Sequence, residues 1–292
     1  MGIGSGGASI LANSDSCGWK VEPRYSRVWA VGRFAARNSL QPGLLVYRPI
    51  RMAETNSSVP HPSPEAEEVY RRWLKFLDDE FVAHSSPERR AEIVRDQLYQ
   101  IYLGRPHGGK LNLTLTSELP GNIIGLSLDP TNVTLEAEYF PDVDKDRYAR
   151  RKPLLWFWHM FDRSPIGLNH WLGIRFRCML ARHILGHMGT GVKIYHNVEV
   201  TYGYNLSLDD GVVVRQGALL SDRGGITIGK NAVIGSYSRI FSHNYAPDNF
   251  ENVTLLPTTI GAGARIASHS IVLAGHNVGD GEAVGTFPTE RA

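Results

Sequence analysis

Residues 191–287 are predicted to form a parallel β-helix, and three observations predict it. Aliphatic residues recur in steps of six: Ile194, Val200, Leu208, Val214, Leu220, Ile228, Ile234, Ile240, Ile260, Ile266, Val272, Val278 and Val284. The exceptions, from 200 to 208, 220 to 228 and 240 to 260, fall at every third step. Small residues follow the aliphatics closely, as in IGKNAV, IGSYSR and IGAGAR. Three steps therefore make one turn of a three-sided coil. Small residues permit its corners, and the stacked aliphatics bury one continuous core. A sandwich of short strands would show strict alternation and leaves the three-step regularity unexplained.

The region before the coil reads as α-rich, of the α+β kind. Residues 1–63 are rich in Gly, Ser, Pro and Arg without a sustained period, and AETNSSVPHPSP reads as a linker. Within 64–150, EAEEVYRRWLKFLDDEFVAHSS places Val69, Trp73, Phe76, Leu77 and Phe81 on one helical face. SPERRAEIVRDQLYQIYLG predicts a second helix, with Ser86 as its cap, Pro87 in its first turn and Gly104 at its end. Alternation in KLNLTLTSEL and NVTLEAEYF predicts short strands.

Residues 151–190 are aromatic and basic, and predict helices in two pieces broken near Pro165. They are expected to pack on the domain that follows. The mixture of Trp, Phe and Arg over 154–185 would also suit peripheral contact with a membrane surface. His183 and His187 are four apart and could meet on one helical face, but the sequence points to no further metal ligands. Residues 288–292 form a short tail.

Composition narrows the function classes. With 42% hydrophobic and 21% charged residues and a net charge of +2, the chain is expected to be soluble and gives no reason to expect nucleic acid. No run of 18 uncharged apolar residues occurs. The two cysteines, Cys17 and Cys178, stand in no metal or redox spacing and fit a reducing compartment. The opening residues lack the charged start of a secretory signal, so a cytoplasmic location is expected.

The repeat itself, ITIGKNAVIGSYSRIFSH followed by TTIGAGARIASHSIVLAGHNVGDGEAVG, resembles the hexapeptide-repeat acyltransferases. The resemblance covers about residues 185–287 and looks closest to the galactoside/maltose O-acetyltransferase branch. It implies a left-handed coil, a homotrimer, acetyl-coenzyme A as acyl donor, no metal, and a small-molecule or saccharide acceptor. Acyl transfer from a thioester to a hydroxyl needs a base for the hydroxyl proton. An imidazole suits that task at neutral pH.

His243 stands three residues after the inward Ile240, at the root of the long insertion 244–259. The resemblance makes it the general base, in a cleft between neighbouring subunits. Asp222 and Arg223 compete for the family's acceptor-binding aspartate position. Arg215 replaces an asparagine on the acceptor side, which would admit an anionic acceptor such as a sugar phosphate or a uronate. On the donor side the resemblance points to Ser268, Gly275, Gly285 and Thr286, with Arg265 where the family has an aromatic. The family adds a segment rich in Thr, Lys and Pro that closes over coenzyme A. Here VGTFPTERA follows the last coil, and Arg291 is the candidate stand-in.

Two other readings use the same fold. A zinc enzyme of the carbonic anhydrase type needs three converging histidines, and 244–259 contains none. A β-helix module for assembly or scaffolding would leave His243 incidental.

Overall fold

The computed structural model describes residues 60–109, 120–246 and 249–286. The irregular segment expected over 1–63 falls almost wholly outside these residues, as do Cys17, the strand expected over 110–119 and Arg291.

Helix α1 (Pro64–Ala83) starts where the Ser63 side chain accepts a hydrogen bond from Ala66 N. A proline at the first position loses no donor the helix needs. Leu77 and Phe81 are buried, with Tyr70, Trp73 and Leu74 packed beside them. Val69 and Phe76, expected on that face, are 54% and 47% exposed. At roughly 100° per residue both fall at the border of the stripe centred on Leu77. Helix α2 (Pro87–Leu103) has the expected ends: Ser86 accepts from Arg89 N, and Gly104 closes it at φ 62. Only glycine adopts that left-handed conformation without strain.

The strand expected in NVTLEAEYF is absent. After α3 (Pro120–Ser127), the chain forms 3₁₀ turns at Pro130–Asn132 and Glu136–Tyr139. The Asp129 carboxylate accepts from Thr131 N at 2.9 Å, and Glu138 accepts from Leu135 N at 2.7 Å. These local bonds satisfy backbone groups that a strand would offer to a neighbour. No strand precedes His187 among the described residues.

Helices α4 (Lys145–Ala149), α5 (Lys152–Arg163) and α6 (His170–Ile184) follow. The break between α5 and α6 falls at Ser164, which is extended because Pro165 follows it. The aromatic side chains of 154–185 mostly face inward: Phe161 stacks on Phe176 at 3.8 Å, and Trp73 on Phe176 at 5.6 Å. Helix α6 packs against the first strands of the coil, as one of the two expectations for this segment has it. No described helix is long and apolar enough to cross a membrane. His183 bonds Asp78 at 2.8 Å, whereas His187 lies in the first coil strand, so the two do not share a helical face.

The coil is a three-sided parallel β-helix of about five turns. On its first face Met188, Leu208, Ile228, Ile260 and Val278 stack in register. The second face stacks Ile194, Val214, Ile234, Ile266 and Val284. The third stacks Val200, Leu220, Ile240 and Val272. Every aliphatic of the predicted series takes the inward place, and the extra residues all leave at the corner between third and first faces. The coil begins at His187 rather than 191, because Met188 fills an inward position six residues before Ile194.

A buried ion pair joins α5 to α6, and its carboxylate also reaches the coil. Arg177 Nε donates to Asp162 Oδ1 at 2.7 Å, and both side chains are almost wholly buried. Asp162 Oδ2 also accepts from Asn197 N at 3.0 Å, in the first turn of the coil. Removing the carboxylate leaves a buried guanidinium uncompensated. Asp162→Ala is expected to lower stability by about 3–5 kcal/mol in urea unfolding; a loss under about 1 kcal/mol would refute this account of the junction.

Candidate active site

Three successive coils bring Thr201, Ser221 and Phe241 into one column at the end of the third face. The residues just beyond them are Tyr202, Asp222 and Ser242, then Gly203, Arg223 and His243. Asp222 is fully buried. It accepts from Tyr202 N at 2.7 Å and Asn205 N at 3.2 Å, which pins the corner of the preceding coil. Burial pushes its carboxyl up to about 6, against the pull of those N–H groups. Asp222 is not among the residues that line the cleft beside His243.

Arg223 turns outward, yet is 3% exposed. It pairs with Asp142 from the helical region, with Nε to Oδ2 at 3.1 Å and a second bond from Nη2 to Oδ1. Its Nη1 donates to Tyr245 Oη at 2.7 Å, and its Cζ lies 4.1 Å from the Phe140 ring centre. Tyr202 Oη donates to the same carboxylate at 2.8 Å. Burial raises the Asp142 carboxyl, but Arg223 and Tyr202 outweigh it and hold the group below its ordinary value.

The insertion after His243 is a β-hairpin, with strands His243–Ala246 and Asn249–Leu255. His243 is 9% exposed. Its Nδ1 lies 3.3 Å from Ser221 Oγ, which accepts from Thr201 Oγ1 at 3.2 Å. Phe241 and Tyr245 meet its ring edge-on at 5.8 and 5.1 Å. Burial first, and Arg223 second, hold the imidazole below its usual pKa.

His243 lines a cleft of about 420 Å³. Thr201, Ser221, Arg223 and Tyr245 share its coil side, while Glu136, Phe140, Tyr148 and His159 face it from the helical region. One wall is thus supplied by the same chain. A second cavity, about 410 Å³, lies among α2, α4 and α5 and holds none of the predicted site residues.

The chain is 34% identical over 128 residues to the provisionally named colanic acid biosynthesis acetyltransferase WcaF of Escherichia coli (strain K12). The match spans 43% of this chain and 67% of that protein. The chain belongs to the hexapeptide-repeat acetyltransferases. A provisionally named acetyltransferase of Dictyostelium discoideum is 31% identical over 100 residues, 33% of this chain and 53% of that protein. Among solved structures, a hexapeptide-repeat acetyltransferase of Vibrio cholerae complexed with acetyl coenzyme A is similar. That likeness has 18% identity, covers 54% of this chain and 93% of the other, and has a TM-score of 0.39. A serine acetyltransferase of Neisseria gonorrhoeae in complex with serine gives 13% identity, 78% and 92% coverage, and a TM-score of 0.24. No family model matches the chain.

The acetyltransferase is therefore an enzyme of the acyl-transfer class, and the assembly-module reading gives way. Its other predicted residues lie apart from the cleft. Ser268, Gly285 and Thr286 stand exposed at the corner between second and third faces. Arg215 is exposed at the same corner two coils earlier, with its guanidinium 5.8 Å from the Tyr195 ring centre. Arg265 faces outward on the second face. Gly275 lies at the corner between third and first faces, where its N–H donates to Thr258 Oγ1 at 3.1 Å. Gly285 has φ +94, and a Cβ there would collide with Ser270 Oγ and Ala267 Cβ, so the fold itself demands glycine. Among the described residues no three His, Cys, Asp or Glu side chains are placed to hold a metal ion.

Sequence reasoning missed Ser221, Asp142, Tyr245 and the cleft's helical wall. Tyr245 was within reach: it stands two residues after His243, and a strand sends such residues to one side. Asp142 carries no comparable signal. The Asp222 geometry has its own test. Asp222→Ala leaves the buried N–H of Tyr202 and the part-buried N–H of Asn205 without this acceptor, and is expected to cost about 2 kcal/mol or more in urea unfolding. An Asp222→Ala protein as stable as the parent would exclude the corner-pinning role.

Proposed function

We propose that this acetyltransferase moves an acetyl group from acetyl-coenzyme A to a hydroxyl of a saccharide or related cell-envelope precursor, with His243 as general base. The observation that carries the reading is the place of His243: buried in a cleft, at the corner where the coil is interrupted, with Nδ1 beside Ser221. When Nδ1–H is donated to Ser221 Oγ, Nε2 keeps its lone pair for the acceptor hydroxyl. The hydroxyl proton passes to Nε2 as the oxygen attacks the thioester carbonyl. The tetrahedral intermediate then expels the coenzyme A thiolate, which takes the proton back from His243.

Arg223 belongs to this reading as a positioning residue. It binds Asp142 and Tyr245, and so holds the hairpin against the helical wall. It also helps keep His243 neutral near pH 7. Asp222 pins the corner. The donor would lie along the exposed corner of Ser268, Gly285 and Thr286, with Arg265 on the adjoining second face and Gly275 at the far end of the third; a neighbouring subunit of a trimer would supply its second wall. The relative's part in colanic acid biosynthesis supports an envelope saccharide as the acceptor class.

Three measurements test this reading. His243→Ala is expected to lower kcat by about 10²–10⁴-fold at unchanged melting temperature, read as coenzyme A release with a saccharide acceptor. Retention of full activity would remove His243 from the mechanism. Ser268→Trp is expected to abolish saturable acetyl-coenzyme A binding in calorimetry, and unaltered binding would move the donor elsewhere. In the pH profile of kcat/KM, the acid limb reports deprotonation of His243 and should lie below pH 6.5. Arg223→Gln removes a cation that disfavours the imidazolium and frees Asp142, so the limb moves to higher pH. A limb that stays in place or moves to lower pH would break the link between Arg223 and the base.

A further inference from the structure

We propose that Glu136 and Glu199 make the cleft beside His243 an acceptor subsite that excludes anions and takes neutral or amino-bearing hydroxyl compounds. The inference rests on the reading of that cleft as the acceptor site, and adds a charge preference to it.

Formally charged residues lining the cleft are Glu136, Glu199 and Arg223. Arg223 is already committed, since its guanidinium pairs with Asp142 and bonds Tyr245. Its positive charge is answered within the protein before any ligand arrives. Glu136 and Glu199 are not answered in this way: among the described residues neither carboxylate has an ion-pair partner. Glu136 comes from the helical wall, in the 3₁₀ turn Glu136–Tyr139, and Glu199 from the third face of the coil. Each is exposed as well as lining the cleft, which places the two charges where it meets solvent.

The two histidines do not reverse this balance. His159 and His243 both line the cleft, and burial disfavours the charged form of each. Arg163, at the end of α5, acts on His159 in the same direction, while Glu199 opposes it, and Arg163 does not line the cleft. Near neutral pH the lining therefore carries two unanswered negative charges and no unanswered positive one. A cleft with low-dielectric walls focuses such a field. An acceptor bearing phosphate or carboxylate would enter against it, whereas a hydroxyl compound with no charge or a protonated amine would not. The anionic acceptor that Arg215 admits on sequence grounds finds no support here, because Arg215 lies at another corner.

The local potential can be read without knowing the acceptor. In a chain with Cys17 and Cys178 changed to serine, Leu219→Cys puts one thiol in the cleft wall, and Thr201→Cys serves as a second reporter. Each is treated with a cationic trimethylammonioethyl and an anionic sulfonatoethyl methanethiosulfonate, and rates are normalised to those with free 2-mercaptoethanol. The cationic reagent is expected to react about tenfold faster at low ionic strength, with the preference shrinking as salt is added. Adding Glu136→Gln and Glu199→Gln should reduce it to about threefold or less. A normalised ratio of one or below, or a preference that both glutamines leave intact, would overturn the proposal. The outcome is separable from the catalytic reading. Full activity in His243→Ala beside a cation-preferring cleft would count against the base, whereas an inactive His243→Ala beside an anion-preferring cleft would count against the charge assignment.

Discussion

The stacking of one inward aliphatic above another at every third step constrains the rest of this molecule. Each strand of the coil hydrogen-bonds the strand above and below, at a spacing of about 4.8 Å. A residue added within a face would turn the next inward side chain out and break three columns at once. Extra residues can therefore leave only at corners, and all three insertions leave at the same one. That corner accumulates what the regular coil cannot carry: buried Asp222, the Arg223 clasp and His243 at the root of a hairpin. The catalytic candidate is a by-product of register in the sense that no other part of the coil has freedom to build a wall.

The helical region completes what the corner begins. Two carboxylates of that region, each paired with an arginine, hold it to the coil. Arg177 and Asp162 are almost wholly buried and tie α5 and α6 to the first turn. Arg223 and Asp142 lie beside the cleft and bring the turn after Glu136–Tyr139 against the hairpin. A buried pair of this kind contributes little net stability over an apolar substitute, but breaking it is costly, so its effect is to specify one arrangement. The resemblance read from the sequence put this cleft between neighbouring subunits. Here one wall comes from the chain itself, and Arg223, a candidate for binding the acceptor, meets Asp142 instead.

Much of the coil was legible in the sequence because its constraint is periodic. Ile194 to Val284 could be placed one by one, and the three long steps located the corner, because each position repeats the same physical demand. Capping was legible for the same reason: Ser86, Pro87 and Gly104 each satisfy a local rule. The misreadings lie where tertiary packing decides. NVTLEAEYF alternates like a strand, yet Asp129 and Glu138 satisfy its backbone locally. Val69 and Phe76 fit a helical stripe loosely and fall at its edge. His243 announced itself by standing at the break, but Ser221 and Asp142 did not, since one is an ordinary coil residue and the other lies 81 positions away from its partner.

The two groups of candidate residues also make geometric sense together. Ser268, Gly285 and Thr286 lie at the corner where the third face begins, and His243 lies just past where it ends. Third-face strands are two or three residues long, about 7–10 Å. Ser268 belongs to the coil immediately after that of His243. In the proposed reaction, an elongated thioester lying across the third face would thus bring its acyl end from one corner to the other without any change in the coil. The cleft wall from the helical region stands over that same face, through Leu155 and His159. Donor and acceptor would meet at the coil edge, beside the buried imidazole of His243.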